Sequence, residues 1–208
     1  MTLQQYLQAP CEMLSIPFWK AQSSSIPVGM KIVHNSVFNK LDYSGYSDEK
    51  YFRLFHNLKN ISQTHVDGFE IVTATTEDIA AFVDIVNKSY TDMQANFNQF
   101  INYTKTPVYR SDLWILIKDI SDGEYAGCGI ADFDNQAKEL ILEWIQVLPE
   151  YRRKGIGTLI VKELLNRGRG IADFATVSGK VGNATKPELL YRKCGFTGND
   201  IWHILTEK

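Results

Sequence analysis

The chain has 208 residues, 44% of them hydrophobic and 22% charged, with a formal net charge of −2. That is enough chain, in an ordinary globular composition, to bury a sizeable core, and the weak negative charge excludes a general affinity for nucleic acid. Three cysteines without C-x-x-C spacing and four histidines without an H-x-x-x-H pair argue against a disulfide framework and a metal site.

The opening stretch MTLQQYLQAP has neither a cationic start nor an apolar core, so no signal peptide is expected. No apolar run approaches bilayer length, which predicts a cytoplasmic protein without a membrane segment. Residues 15–27 read as an irregular arm and 30–34 as a short strand. Ser47-Asp48-Glu49 carries a helix-start signal, and Tyr51, Phe52, Phe55 and Leu58 give that helix an apolar face. Residues 1–68 hold too many aromatics for a disordered tail. They are expected to form an α+β extension packed on a core at 69–208, either near the substrate side or at a homodimer contact.

From Gly68 the pattern changes. Residues 69–74 read as a strand, and Thr75-Thr76-Glu77-Asp78 opens a helix whose buried stripe is Ile79, Phe82, Val83 and Val86. A second helix is predicted over 93–103, ending before Pro107. Residues 112–118 and 125–133 read as a hairpin about Ser121-Asp122-Gly123, and Asp134-Asn135 turns into a near-continuous apolar strand over 140–147. Ile156, Leu159, Ile160, Leu164 and Leu165 then recur at helical spacing, with Gly168 at the helix end. A strand over 172–181, a short helix from Pro187 to Cys194 and a last strand over 201–205 complete the order. The alternation is α/β with a mixed sheet.

Between the apolar strand and its helix lie Arg152, Arg153, Lys154, Gly155, Ile156, Gly157 and Thr158. Glycines allow close backbone approach, first-turn amides lack helical partners, and the helix dipole adds positive potential. With three cations in the same turn, this is a polyphosphate site in pattern; the alternative is a tight turn with solvated basic residues. No G-x-x-x-x-G-K-[ST] occurs, and Ile160 stands where a dinucleotide fingerprint needs its third glycine.

Arg152-x-x-Gly155-x-Gly157 after Val147-x-Pro149 resembles the acyl-CoA pyrophosphate loop of the GNAT superfamily of N-acetyltransferases. Asn183 followed by Leu189-Leu190-Tyr191-Arg192-Lys193-Cys194-Gly195-Phe196 is similar to a second segment of that family. The resemblance covers about the last two-thirds of the chain. It implies a mixed, mostly antiparallel central sheet flanked by helices, with acetyl-CoA as co-substrate and no metal. It also implies that central strands splay near Val147, so that the pantetheine arm pairs with the backbone of Ile145, Gln146 and Val147, with Asn183 on the pantetheine or substrate side.

The chemistry then needs a base and an acid. Glu143 is the one carboxylate in an otherwise apolar strand, read as sharing a face with Ile141, Ile145 and Val147. Burial would raise its pKa toward that of a general base, acting directly or through water. Its structural alternative is a sheet-end glutamate paired with a cation. Tyr191 holds the position of the family's tyrosine acid; its alternative is a core aromatic. Asp132, Asp134, Glu139 and Glu143 lead toward the same region and would attract a cationic amine. The expectation is an N-acetyltransferase acting on a small-molecule or peptide amine by direct transfer in a ternary complex. The rival is a non-catalytic acyl-CoA-binding sensor or interaction module.

Overall fold

A computed structural model describes residues 1–90 and 94–208. Three short helices, α1 (Leu3–Gln8), α2 (Pro10–Met13) and α3 (Phe18–Ser23), precede β1 (Met30–His34) and β2 (Tyr46–His56). Then come β3 (Phe69–Thr73), α4 (Ile79–Ser89), α5 (Phe97–Tyr103), β4 (Trp114–Asp119), β5 (Tyr125–Asp134) and β6 (Glu139–Val147). The chain closes with α6 (Ile156–Gly168), β7 (Phe174–Lys180), α7 (Pro187–Lys193) and β8 (Thr197–Glu207). The strands form a mostly antiparallel eight-stranded sheet in the order β1-β8-β2-β7-β6-β5-β4-β3, the α/β class expected. Contacts group the chain into two compact units, Met1–His56 with Thr176–Lys208, and Asn57–Ala175.

In the second unit, α4 starts where predicted. Asp78 accepts the Thr75 amide at 2.9 Å and Thr75 Oγ1 accepts that of Glu77 at 3.2 Å, closing a capping box. Its face buries Ile79, Phe82, Ile85 and Val86. The predicted second helix is α5, capped by Asn96 Oδ1, which accepts the Gln99 amide at 2.9 Å; Met93, its expected first residue, lies outside the described residues. Phe82 and Phe100 each meet Trp114 edge-on between these helices and the sheet.

The other face of the sheet in this unit carries α6. Its buried residues Ile156, Leu159, Ile160, Leu164 and Leu165 are the expected stripe, joined by Val161. Glycines let the helix sit close. A Cβ on Gly129 would lie 2.4 Å from Ile160 Cγ2 and 3.1 Å from Leu164 Cδ1, and one on Gly168 would lie 2.5 Å from Leu140 Cδ2.

The first unit contains the clearest correction. Residues 47–58, read as a helix opened by Ser47-Asp48-Glu49, contain most of the eleven-residue strand β2, antiparallel to β8. The polar residues that mimic a helix start are cross-strand partners here. Ser47 Oγ donates to the Thr206 carbonyl at 3.1 Å, Asp48 holds His203 Nδ1 at 2.9 Å and Glu49 pairs with Lys180 at 2.6 Å. The arm at 15–27 likewise contains α3, which buries Phe18. The N-terminal helices are tied to the strands by polar contacts. Buried Arg53 donates to Tyr6 Oη at 3.0 Å and Thr176 Oγ1 at 3.3 Å, and Trp202 Nε1 donates to the Cys11 carbonyl at 2.8 Å. His56, at the end of β2, is buried against the turn after α7, where an added Cβ on Gly195 (φ 98°) would lie 2.8 Å from its Nε2.

Two outcomes follow. Gly129→Ala overpacks the α6 interface and lowers unfolding free energy by about 1–3 kcal/mol, read as a lower urea midpoint at unchanged m-value; an unshifted midpoint would show that α6 can retreat freely. Burial pushes the His56 imidazole below its ordinary value, against a smaller opposing hydrogen bond with the Cys194 backbone. The unfolded chain therefore takes up this proton first, so stability present above the ordinary histidine pKa of about 6.5 is lost as pH falls through it. Melting temperatures of the wild type and His56→Gln between neutral and mildly acidic pH should diverge least at the acid end, and parallel curves would remove His56 from this role.

Candidate functional site

Glu143, Ile145, Gln146, Val147 and residues 152–158 all belong to the second unit, whereas Asn183 and Tyr191 belong to the first.

β6 changes character half-way along. Residues 139–142 are buried, and every residue from Glu143 to Val147 is half-exposed. The change falls on a β-bulge. Trp144 pairs with Ile130 but Leu142 pairs with Ala131, so Glu143 is the extra residue in the ladder. A bulge reverses which side alternate residues face. Ile145 and Val147, opposite Gly129 and Gly127, lie on the α6 face, as Leu142 does opposite Ala131; Ile141, opposite Asp132, lies on the other. The expectation that Glu143 shares one face with Ile141, Ile145 and Val147 is therefore incorrect, because strict alternation stops at Glu143. Glu143 is half-buried, not sealed in the core.

The expected acidic lead-in is also altered. Asp134 and Glu139 pair at the far end of the β5–β6 hairpin, and both are buried. Asp134 Oδ1 accepts the Gln136 amide at 2.8 Å and so shapes the turn.

Past β6, Pro149–Tyr151 forms a 3-10 turn, after which Arg153 (φ 67°) and Gly155 (φ 89°) take left-handed conformations. Gly155 is the N-cap of α6, and its conformation is the one that favours glycine. Among the described residues, no amide from Arg153 to Thr158 donates to a carbonyl or side chain; the first bond of the helix is Leu159 N–H to the Gly155 carbonyl at 3.0 Å. The loop is a row of unpaired N–H groups at the positive end of a thirteen-residue helix. Arg153, Lys154 and Gly155 are exposed. Arg153 makes no ion pair or hydrogen bond among the described residues, and Lys154 Nζ lies 4.8 Å from the centroid of the Tyr151 ring. Arg152 turns inward, donating from Nε to the Val147 carbonyl at 3.1 Å and from Nη2 to the Ser89 carbonyl at 3.2 Å.

In the first unit Tyr191 is 6% exposed, its ring 6.2 Å from Phe52 and 5.8 Å from Phe196. Asn183 Oδ1 accepts from the Thr185 amide at 2.9 Å and the Thr185 hydroxyl at 2.8 Å, so its carboxamide oxygen shapes a local turn.

The strand, turn and helix architecture just described falls within residues 110–198, which match the model of the family described as the acetyltransferase (GNAT) domain. That match covers less than half of the chain. Over 106 residues, 49% of its length, the chain is 34% identical to the uncharacterized N-acetyltransferase CgeE of Bacillus subtilis (strain 168), and it spans 40% of that relative. Its fold is similar to that of a GCN5-related N-acetyltransferase from Sphaerobacter thermophilus: TM-score 0.72 and 17% identity, over 85% of this chain and 58% of that one. A GNAT-family acetyltransferase from Colwellia psychrerythraea matches over 99% of this chain and 74% of its own, with a TM-score of 0.65 at 17% identity. At these identities the structural likeness concerns the fold.

Two features of the candidate site, the Tyr90 contact and a glycine pair, went unread in the sequence. Tyr90 Oη accepts from Gln146 Nε2 at 2.8 Å, and its ring meets Trp144 edge-on at 6.4 Å. No spacing rule links residues so far apart. Gly127 and Gly129, by contrast, stand two apart in a strand, a pattern that announces close approach on one face. Among the described residues no group of three or more His, Cys, Asp or Glu is placed to hold a metal ion, and no helix is long and apolar enough to cross a membrane.

Proposed function

We propose that this chain is a GNAT-family N-acetyltransferase that takes an acetyl group from acetyl-CoA to a primary amine. The observation that carries this reading is the run of partnerless amides from Arg153 to Thr158 at the start of α6, with exposed cations beside it. A diphosphate supplies acceptor oxygens for such a row and the charge that the helix end favours. The main chain at Ile145 and Gln146, on the half-exposed part of β6, would take the pantetheine arm by strand-like pairing, with Asn183 on the pantetheine or substrate side.

Bound acetyl-CoA brings an activated thioester carbonyl; the chain's own groups manage protons and position. Glu143 takes a proton from the incoming ammonium, directly or through water, so that the nitrogen lone pair can attack. A C–N bond forms as the C–S bond breaks, the Tyr191 phenol donates a proton to the departing thiolate, and the second proton lost by the acylated nitrogen restores the phenol through solvent. The products are the acetamide and free CoA, formed in one ternary complex. The bulge at Glu143 supports its assignment, because the extra residue is the one whose backbone leaves the ladder and whose side chain is re-aimed.

In thermal-shift measurements acetyl-CoA should raise the melting temperature and ATP and NAD should not. No shift with acetyl-CoA would end the reading. Glu143→Gln should lower turnover of a reactive amine about a hundredfold or more near neutral pH while CoA affinity persists. A pH–rate profile unchanged by the substitution would remove Glu143 as the base, and CoA binding without turnover on any of a panel of amines would favour a sensor.

A further inference from the structure

The loop presents three consecutive cations, and a diphosphate site would be expected to use all of them. We propose that Arg152 is instead a positioning residue, whose guanidinium ties the end of α4 to the end of β6 and so fixes the conformation of the loop that carries the partnerless amides. The identification of the ligand rests on the acetyl-CoA reading above; the tie itself does not.

The geometry is specific. Ser89 is the last residue of α4, so its carbonyl has no helical donor, and it sits at the negative end of the helix dipole. Val147 is the last residue of β6. One guanidinium satisfies both carbonyls, Nη2 at 3.2 Å from Ser89 and Nε at 3.1 Å from Val147, and the side chain is half-buried while it does so. A second tie joins the same two elements one residue along each, where Gln146 Nε2 donates to Tyr90 Oη at 2.8 Å. Arg152 itself is extended (φ −65°, ψ 154°), and the next residue, Arg153, is held at φ 67°. That left-handed conformation disfavours a side-chain-bearing residue. An anchor immediately before it keeps the turn from relaxing, and the turn decides where the following amides point.

Arg153 and Lys154 differ in kind. Both are exposed, and among the described residues neither side chain is bonded to a carbonyl. They supply the charge, and Arg152 supplies the shape. A consequence reaches the pantetheine arm: the Val147 carbonyl already accepts from Arg152, so pairing with the arm falls to Ile145 and Gln146.

A planar fork can serve two carbonyls where an ammonium serves as a point charge, so Arg152→Lys separates the roles. Calorimetric titration of CoA at low and high salt is expected to give Arg152→Lys and Arg152→Gln equal losses of about tenfold, the order of one charge-assisted hydrogen bond. Salt dependence should stay as in wild type for both, and flatten for Arg153→Gln. Retained affinity in Arg152→Lys, with loss and a flattened salt dependence in Arg152→Gln, would make Arg152 a phosphate ligand and overturn the proposal. Hydrogen exchange of the ligand-free protein tests the tie independently. The hydrogen-bonded amides of Tyr90, Tyr151 and Leu159 should exchange faster in both Arg152 variants and not in Arg153→Gln. Unchanged exchange in both would overturn the tie, whereas failure of the wild type to bind CoA would overturn only the ligand.

Discussion

The close seating of α6 on β5 and β6 is the constraint from which the candidate site follows. Gly129 and Gly168 leave the space that Ile160, Leu164 and Leu140 fill, and the stripe from Ile156 to Leu165 is buried against the sheet. Each such side chain contributes about 1.5–3 kcal/mol when fully buried, so the helix cannot tilt or slide without a large loss. Its start is thereby held a few residues beyond the end of β6, and the connecting turn is short. A short turn with left-handed residues at Arg153 and Gly155 has no length to fold its amides inward. Among the described residues they have no protein acceptor, and a ligand can supply one.

The second constraint is the bulge. A strand buried along its whole length has no room for a substrate, and β6 is buried only as far as Leu142. Inserting Glu143 into the ladder breaks the pairing there and swaps the faces of everything beyond it. As a result Ile145 and Val147 lie over the glycines of β5, while Trp144 and Gln146 meet the α4–α5 layer through Tyr90 and Phe100. The same insertion that places the one mid-strand carboxylate also directs the side chains of the open half.

Much of this was legible in the sequence, because the helices and strands of the second unit are amphipathic or apolar with clear stops. The stripe of α6, the capping box at Thr75 and the Gly123 turn are local signals, and local signals survive folding. β2 was not legible. Ser47-Asp48-Glu49 satisfies a helix-start rule, and Tyr51, Phe52, Phe55 and Leu58 fit a helical face as well as a strand. What decides the strand is pairing with β8, some 150 residues downstream, where Asp48 meets His203 and Ser47 meets Thr206. The bulge escaped for a similar reason: an extra residue is defined by its partner strand and not by its own neighbours. Arg152 was legible as a cation and illegible as a tie, since Ser89 is brought to it only by the packing of α4.

The division between backbone and side chain has a chemical consequence. Exposed cations such as Arg153 and Lys154 are screened by salt within about 8–10 Å and hold no fixed geometry. Amide groups on a pinned helix start are neutral and already oriented, so they bind an anion with little reorganisation. Recognition built this way is directional, matching the spacing of acceptor oxygens, whereas recognition by loose cations matches charge alone. Ordered in this manner, the loop's selectivity is lodged in Gly155, the left-handed turn and the α6 packing beneath them, and not in the residues whose charge first draws attention to it.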